Sequence, residues 1–245
     1  MNKLTWNKVG GNFYETGVSR GVLYLQDEAG NYPKGVPWNG LVGITENPSG
    51  SEVTPLYSDG VVHTNSISIE EFEATIDALT YPDEFASCDG SLEQSQGFFL
   101  NQQTRNPFGL AYVTFLGNDI RREDHGYKLH LVYGAVASPS QRDYPSINDS
   151  VSTTTFSWAI TTTPVDISGN KPTAVLVIDS TKVNPEYLAV LEHILYGVDN
   201  SLAEPRLPLP DEVITILSGG GLVLSNFGII RIRVGYTNVG EGAVS

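Results

Sequence analysis

Cysteine and positive charge are both scarce in this sequence of 245 residues. Cys88 is the single cysteine, so the chain can form no internal disulfide and no cysteine-based metal cluster. It contains no run of 18 apolar residues, which argues against a membrane-spanning helix. Its 14 Lys and Arg residues face 28 Asp and Glu residues, giving a net charge of −14. Tight binding of nucleic acid is therefore not expected, because phosphate contacts require Lys and Arg.

Positive charge is missing altogether from one long stretch, 35–104, which holds eleven carboxylates. One interpretation is a solvated acidic surface that keeps the protein in solution. The other is a surface that has to repel an anionic molecule. The length fits one large domain, and a hydrophobic content of 40% is enough to bury a sizeable core.

The apolar pattern predicts strands in most of the chain. β-branched and aromatic residues fill 109–116, 128–133, 153–163 and 173–179, each bounded by turn residues. The polar stretch 117–126 predicts a hairpin loop between the first two. The spacing favours a mainly β fold, an antiparallel sandwich or barrel with a flanking α-helix.

The flanking helix is predicted near the C-terminus. Asn184 is suited to be its N-cap, Pro185 its first residue and Gly197 the residue beyond its end. We expect a stripe of three leucines to pack on the sheet: Leu188, Leu191 and Leu195. The proline-rich stretch 205–210 is expected to be extended, and 211–217 to add one or two helical turns.

The segment 68–81 fits two patterns. Helical spacing relates Ile69, Phe72, Ile76 and Leu79. Strand alternation relates Phe72, Ala74, Ile76 and Ala78. We adopt the strand, from Glu71 to Leu79, as the hypothesis. It places Glu71, Glu73 and Asp77 together on the face opposite the core.

Motifs for catalysis or cofactor binding are sparse. No HExxH, GxGxxG or Walker pattern is present. Asp124 and His125 form a suggestive pair, but neighbours on a strand point to opposite faces, so a role in the hairpin is favoured. His130 alternates with Leu129 and Leu131 and is expected at a surface or interface. We expect no enzyme activity, no cofactor and no metal site.

Several strings form a recognisable set in the region from Trp6 to Val165. They include Trp6-x3-Gly10-x3-Tyr14-Glu15-Thr16-Gly17-Val18, Tyr32-Pro33-x-Gly35-Val36-x-Trp38-Asn39-Gly40, Tyr81-Pro82-Asp83-Glu84-Phe85, Cys88-Asp89-Gly90, Asp124-His125-Gly126-Tyr127, Ile147-Asn148-Asp149-Ser150 and Phe156-Ser157-Trp158. This set resembles the major tail proteins of long, non-contractile-tailed bacteriophages of the siphovirus type, which form the tail tube.

The resemblance implies a structural virion protein of the phage tail, assembled in the host cytoplasm. Such subunits form hexameric rings that stack into a tube, and genomic DNA passes through it without specific binding. Tape measure, tail terminator and distal tail proteins would be partners at the lumen and the tube ends; no membrane contact is implied. The expected division is a tail-tube β domain at 1–180, a packed helix and proline-rich extension at 181–217, and a glycine-rich segment at 218–245 with no assigned role.

In such a tube, Glu71, Glu73 and Asp77 are the candidates for acidic residues facing the lumen. Candidate subunit-contact residues lie in two loops: Trp38, Asn39, Asp119, Arg121, Arg122, Asp124 and His125. The alternative function is a carbohydrate-binding β-sandwich of a virion adhesion apparatus, with Trp6, Trp38 and Trp158 as the aromatic platform.

Overall fold

The computed structural model describes residues 3–50, 52–68, 70–140, 142, 144, 146, 154–199, 201–219, 222–224 and 230–232. The predicted segments 147–150 and most of 218–245 lie outside them. The strands are β1 Phe13–Leu25, β2 Gly35–Trp38, β3 Leu41–Glu46, β4 Val53–Ser58, β5 Val61–Ile67, β6 Glu73–Ala78, β7 Leu92–Ser95, β8 Phe98–Leu100, β9 Phe108–Asn118, β10 Arg122–Ala137, β11 Phe156–Thr162, β12 Val175–Asp179, β13 Leu222–Leu224 and β14 Ile230–Ile232. The helices are α1 Pro185–Tyr196, α2 Pro210–Leu217 and a short 3-10 helix, Asp83–Ser87. The expected class, mainly β and antiparallel with a flanking helix, is confirmed.

One long antiparallel sheet has the strand order β2-β1-β9-β10-β11-β6-β3. Strand β10 has two partners on the edge away from β9: β12 pairs with 128–132, and β11 pairs with 135–137. Gly134 lies between them with a positive φ of 58°. A Cβ there would collide with the carbonyl oxygen of Thr163, so glycine is required where the partner changes.

The far end of the sheet folds back over its beginning. Leu41, at the start of β3, lies against Gly21 of β1. Glu46, at the end of β3, accepts a hydrogen bond of 2.7 Å from the Tyr112 hydroxyl on β9. The layer β11-β6-β3 therefore covers one face of the layer β1-β9-β10, and the two enclose an aromatic core. Trp158, Trp38 and Phe85 lie at its centre, with Trp38 and Trp158 ring centroids 5.9 Å apart.

The helices cover the opposite face of β1, β9 and β10. Helix α1 begins as predicted: the Asn184 side chain accepts a hydrogen bond from the Glu186 backbone N–H at 2.9 Å. The predicted stripe is buried: Leu188, Leu191 and Leu195 pack with residues of β9, β10 and α2. The Tyr24 hydroxyl donates to the Leu195 carbonyl, which ties β1 to α1. Both faces of the central strands are thus covered.

Candidate functional site

The segment with two possible patterns forms a strand. In β6, Ala74, Ile76 and Ala78 are buried, with Ile76 fully so, while Glu73 and Asp77 are partly exposed. The helical alternative is wrong, because β6 is hydrogen-bonded on both sides, to β11 and to β3. The strand is shorter than predicted. Glu71 lies before it, in an isolated bridge with Ser49.

The outer face of the layer β11-β6-β3, which we call the acidic face, has a distinctive composition. Cross-strand pairing sets Thr161 opposite Glu73, Ala159 opposite Thr75 and Ser157 opposite Asp77 on the β11 side. On the β3 side, Thr45 lies opposite Thr75 and Gly43 opposite Asp77. The three strands contain no Lys or Arg. The acidic face is therefore built from small and hydroxyl side chains with carboxylates as its charged groups.

The acidic face offers no evident chemistry beyond charge. Glu73 and Asp77 are four residues apart on one strand, which separates their Cα atoms by about 13 Å. The Ser49 hydroxyl donates to Glu73 at 3.3 Å. Among the described residues, no group of three or more His, Cys, Asp or Glu is placed to hold a metal ion. None of the described helices is long and apolar enough to cross a membrane.

Two strings match nucleophile patterns by their letters, contrary to the expectation that no such pattern is present. Gly17–Gly21 reads GxSxG, but it lies within β1, which continues as a strand on both sides, whereas the nucleophile elbow needs a turn from strand to helix. Ser168–Lys171 reads SxxK, but Ser168 bonds to Asp211 in an exposed turn. Neither string has the structural context of its pattern.

Most of the candidate contact residues lie at one exposed hairpin. Asp119 and Arg121 are in the β9–β10 turn, and Arg122 and Asp124 follow on β10, all exposed. The Asp119 carboxylate accepts hydrogen bonds from the Gly10 backbone N–H at 3.0 Å and so holds the N-terminal segment against this turn. The predicted hairpin is present, with a shorter turn than expected. That these residues contact another subunit stays a prediction.

His125 and Trp38 are less exposed than the other candidate contact residues. His125 is partly buried and its ring lies 5.1 Å from that of Phe13. Trp38 was proposed as a contact residue, but its side chain is only 3% exposed and its indole N–H donates to the Thr80 carbonyl at 3.0 Å. Trp38 is therefore a core residue, and only Asn39 beside it remains exposed.

His130 lies in a buried polar cluster that the sequence pattern did not predict. His130 was expected at the surface, yet it is 6% exposed and stacks on Tyr112 with ring centroids 4.5 Å apart. Glu15 of β1 and Glu46 of β3 lie on either side of it, at 3.7 and 3.5 Å. The expectation failed because the folded-back layer covers the second face of β10, which alternation along β10 alone cannot reveal.

The hydrogen bonds around His130 indicate which of its two ring nitrogens carries the proton. The Thr114 hydroxyl donates to Glu15 at 2.5 Å, so its oxygen is left to accept from Nε2 of His130 at 3.0 Å. Nδ1 then carries no proton, and it has no hydrogen-bond partner among the described residues. Burial lowers the pKa of His130, although Glu46 and Glu15 favour its charged form and Lys128 opposes it. The neutral imidazole belongs to the native state.

Stability is therefore expected to fall as the pH drops below about 6.5, where the unfolded chain binds a proton at this residue and the native chain does not. The part of this loss that His130 contributes cannot exceed about 1.4 kcal/mol per pH unit, the value for a single proton. Urea denaturation of the native chain and of His130→Gln, at pH 7.5 and at pH 5.5, would measure it. The variant should lose less stability than the native chain over this interval; an equal loss would contradict the prediction.

Two hairpins project from the sandwich and were also missed. The hairpin β4–β5 exposes Val53, Leu56, Tyr57, Val61 and Val62. The hairpin β7–β8 exposes Leu92, Phe98, Phe99 and Leu100. Each forms a two-stranded sheet of its own, and such ribbons are only marginally stable in water. Apolar residues exposed in this way are typical of a surface that another chain covers.

Comparison with known proteins places few constraints on this chain. No family model matches the sequence, and no curated protein matches it. One solved structure with some similarity is the sheath–tube complex of an extracellular contractile injection system in its extended state. The match has 15% sequence identity and a TM-score of 0.29, and covers 65% of this chain and 88% of that one. At that level it determines neither the fold nor the function.

Proposed function

We propose that this chain is the subunit of a phage-tail tube, in which stacked hexameric rings enclose a channel for genomic DNA. The observation that carries the proposal is the acidic face: a strand layer with small side chains, carboxylates and no Lys or Arg. Glu73, Asp77 and the adjoining Glu71 would line the lumen. The sequence resemblance to tail-tube proteins and the mainly β fold with a flanking helix support the same assignment.

The chemistry of the acidic face suits a conduit. Duplex DNA carries one negative charge per 1.7 Å of axis, so Lys and Arg along a channel would bind it and slow its passage. Carboxylates repel it over about 8–10 Å at physiological salt. Threonine, serine and alanine side chains carry no positive charge that could hold the phosphates of a passing duplex. Such a wall would let DNA move without specific contacts.

The projecting hairpins suit assembly. A hairpin that is received by a different surface of the next copy can repeat from subunit to subunit; such a heterologous contact closes rings or extends filaments. The outer edge of β12 has no partner strand among the described residues, and Val177 on it is 52% exposed. Pairing between copies would satisfy such an edge.

The proposal includes the location and partners of the subunit. It would be part of the virion tail, assembled in the host cytoplasm, and would meet the tape measure, tail terminator and distal tail proteins at the lumen and the tube ends. It would need no cofactor and perform no catalysis. The carbohydrate-binding alternative has less support, because Trp38 and Trp158 are buried in the core and only Trp6 is exposed.

Purified protein is expected to form rings or tubes without any added cofactor, because the exposed apolar hairpins require partners. Sedimentation velocity over a range of concentrations and negative-stain images would detect them. A chain that stays monomeric at high concentration, and is absent from the tails of virions, would contradict the proposal. Binding to cell-wall glycan by such a monomer would favour the alternative.

A further inference from the structure

A groove of about 630 Å³ opens between β1, the β2–β3 turn and the end of α1. Its lining is mostly apolar and includes Pro37, Trp38, Leu41, Tyr196 and Pro205, and Arg20 is its one charged residue. The groove follows from the local backbone: β1 changes register with β9 on both sides of Ser19, and Arg20 has a positive φ of 51°. The bulge turns Arg20 toward Glu192 of α1, at 3.7 Å, and leaves its side chain 56% exposed.

The hairpin β7–β8 is a compact knob with one apolar face. Leu92 pairs with Leu100 and Ser95 with Phe98, so Leu92, Phe98 and Leu100 share a face, while Phe99 points to the other. Gly97, with a φ of 76°, makes the tight turn that brings Phe98 to the tip. Glu93 is the only charged residue of the hairpin, and its carboxylate accepts from the Gly97 backbone N–H.

We propose that the β7–β8 hairpin of one copy inserts into the Arg20 groove of an adjacent copy. The proposal rests on the tube assembly proposed above and names one of its contacts. The face of the knob formed by Leu92, Phe98 and Leu100 offers apolar side chains to the apolar lining of the groove. Glu93 pairs with Phe99 and therefore lies on the other face, outside the inserted surface. Tyr196 lines the groove, and its buried hydroxyl has no hydrogen-bond partner among the described residues, so this wall holds an unsatisfied polar group in the separate subunit.

Shape distinguishes this occupant from the other exposed hairpin. The β4–β5 hairpin is longer and exposes apolar residues along most of its length, which suits a broad contact rather than a concave pocket. A stable interface buries about 1,200–2,000 Å² in total, more than three side chains can supply. The knob therefore acts as an anchor within a wider contact, and the test belongs in the assembled protein.

Disulfide formation between copies tests the proposal. One chain carries Ser95→Cys, on the Phe98 face of the knob; a second carries Asn39→Cys, at the groove. The matched control is Ser58→Cys, because Ser58 ends β4 as Ser95 ends β7. Native Cys88 does not interfere: it is fully buried, and burial raises the pKa of its thiol to about 12. A disulfide requires Cβ atoms about 4 Å apart, so it forms only where the surfaces meet.

Oxidation of an equal mixture of Ser95→Cys and Asn39→Cys chains, assembled together, is expected to link about half of the chains as dimers, because half of the Ser95→Cys knobs meet an Asn39→Cys groove when the two chains assemble at random. Neither chain alone, nor the mixture of Ser58→Cys and Asn39→Cys, should give that product. If the chains assemble but the Ser95→Cys mixture gives no linked dimer, this inference is overturned and the tube proposal stands. The same holds if the Ser58→Cys mixture gives the linked dimer and the Ser95→Cys mixture does not. A chain that never assembles would overturn both. A Ser95→Cys/Asn39→Cys double variant that links within one chain, independently of concentration, would show that the groove receives its own hairpin, which also overturns the inference.

Discussion

Replacing Leu191 by alanine is expected to lower the free energy of unfolding by about 2–5 kcal/mol, the range found for leucines removed from protein cores. Leu191 is fully buried between α1 and the sheet, in the cluster that includes Leu129, Leu131 and Tyr133 of β10. These neighbours belong to a hydrogen-bonded strand, which cannot collapse into the space left by the missing side chain. Urea denaturation at neutral pH would measure the change as a lower midpoint.

Leu202→Ala is the matched control for this prediction. Leu202 is fully exposed in the loop after α1, so its removal should change stability by less than about 0.5 kcal/mol. Similar losses in the two variants would show that the helix does not depend on its packing against the sheet. A small loss at Leu191 alone would mean that α1 contributes little to the stability of the sandwich.

Changing Glu71, Glu73 and Asp77 together to lysine is expected to leave tubes intact and to slow the release of DNA from virions. All three lie on or beside the acidic face, with no core packing to lose. In a ring each substitution would recur at every subunit, so a repelling wall would become a binding one. The lysines would add phosphate contacts whose strength falls steeply with salt.

Two measurements check this second prediction. Negative-stain images would establish that variant tubes form, and the rate of DNA release from virions would report the effect of charge. The control variant changes Glu28, Asp166 and Glu204 to lysine, three exposed acids outside the acidic face that alter the net charge equally. If release is as fast from the first variant as from the control, the charge of the acidic face does not govern the movement of DNA.

The features that followed from sequence are those determined by neighbouring residues. In α1, Asn184 caps the helix with its own side chain, and Leu188, Leu191 and Leu195 lie one turn apart, so a local pattern contains the whole signal. For the segment that forms β6, the sequence fitted two periods, that of a helix and that of a strand. The alternation at Ala74, Ile76 and Ala78 was the correct one because partner strands lie on both sides.

The features that sequence did not reveal depend on parts of the chain that are distant in sequence. His130 is buried because Glu46, 84 positions earlier, lies over it, and no pattern around His130 encodes that neighbour. Trp38 lies in a stretch rich in glycine and proline, which suggested a loop residue at a subunit contact, yet it ends β2 and its ring turns inward onto Phe85 and Trp158. The knob and the Arg20 groove depend on a turn and a bulge, and neither leaves a periodic signal.

The strand order also has a consequence for folding. Strand β1, first along the chain, lies between β2 and β9 in the sheet and pairs along its length with β9, which comes later in the chain, after β2 to β8. During synthesis, the central layer cannot close until β9 and β10 have emerged from the ribosome. The hairpins β4–β5 and β7–β8 join neighbouring strands, and local pairings of this kind form in microseconds. The nascent chain would therefore display its apolar hairpins before it has a core, and premature encounters between chains would compete with the completion of each one.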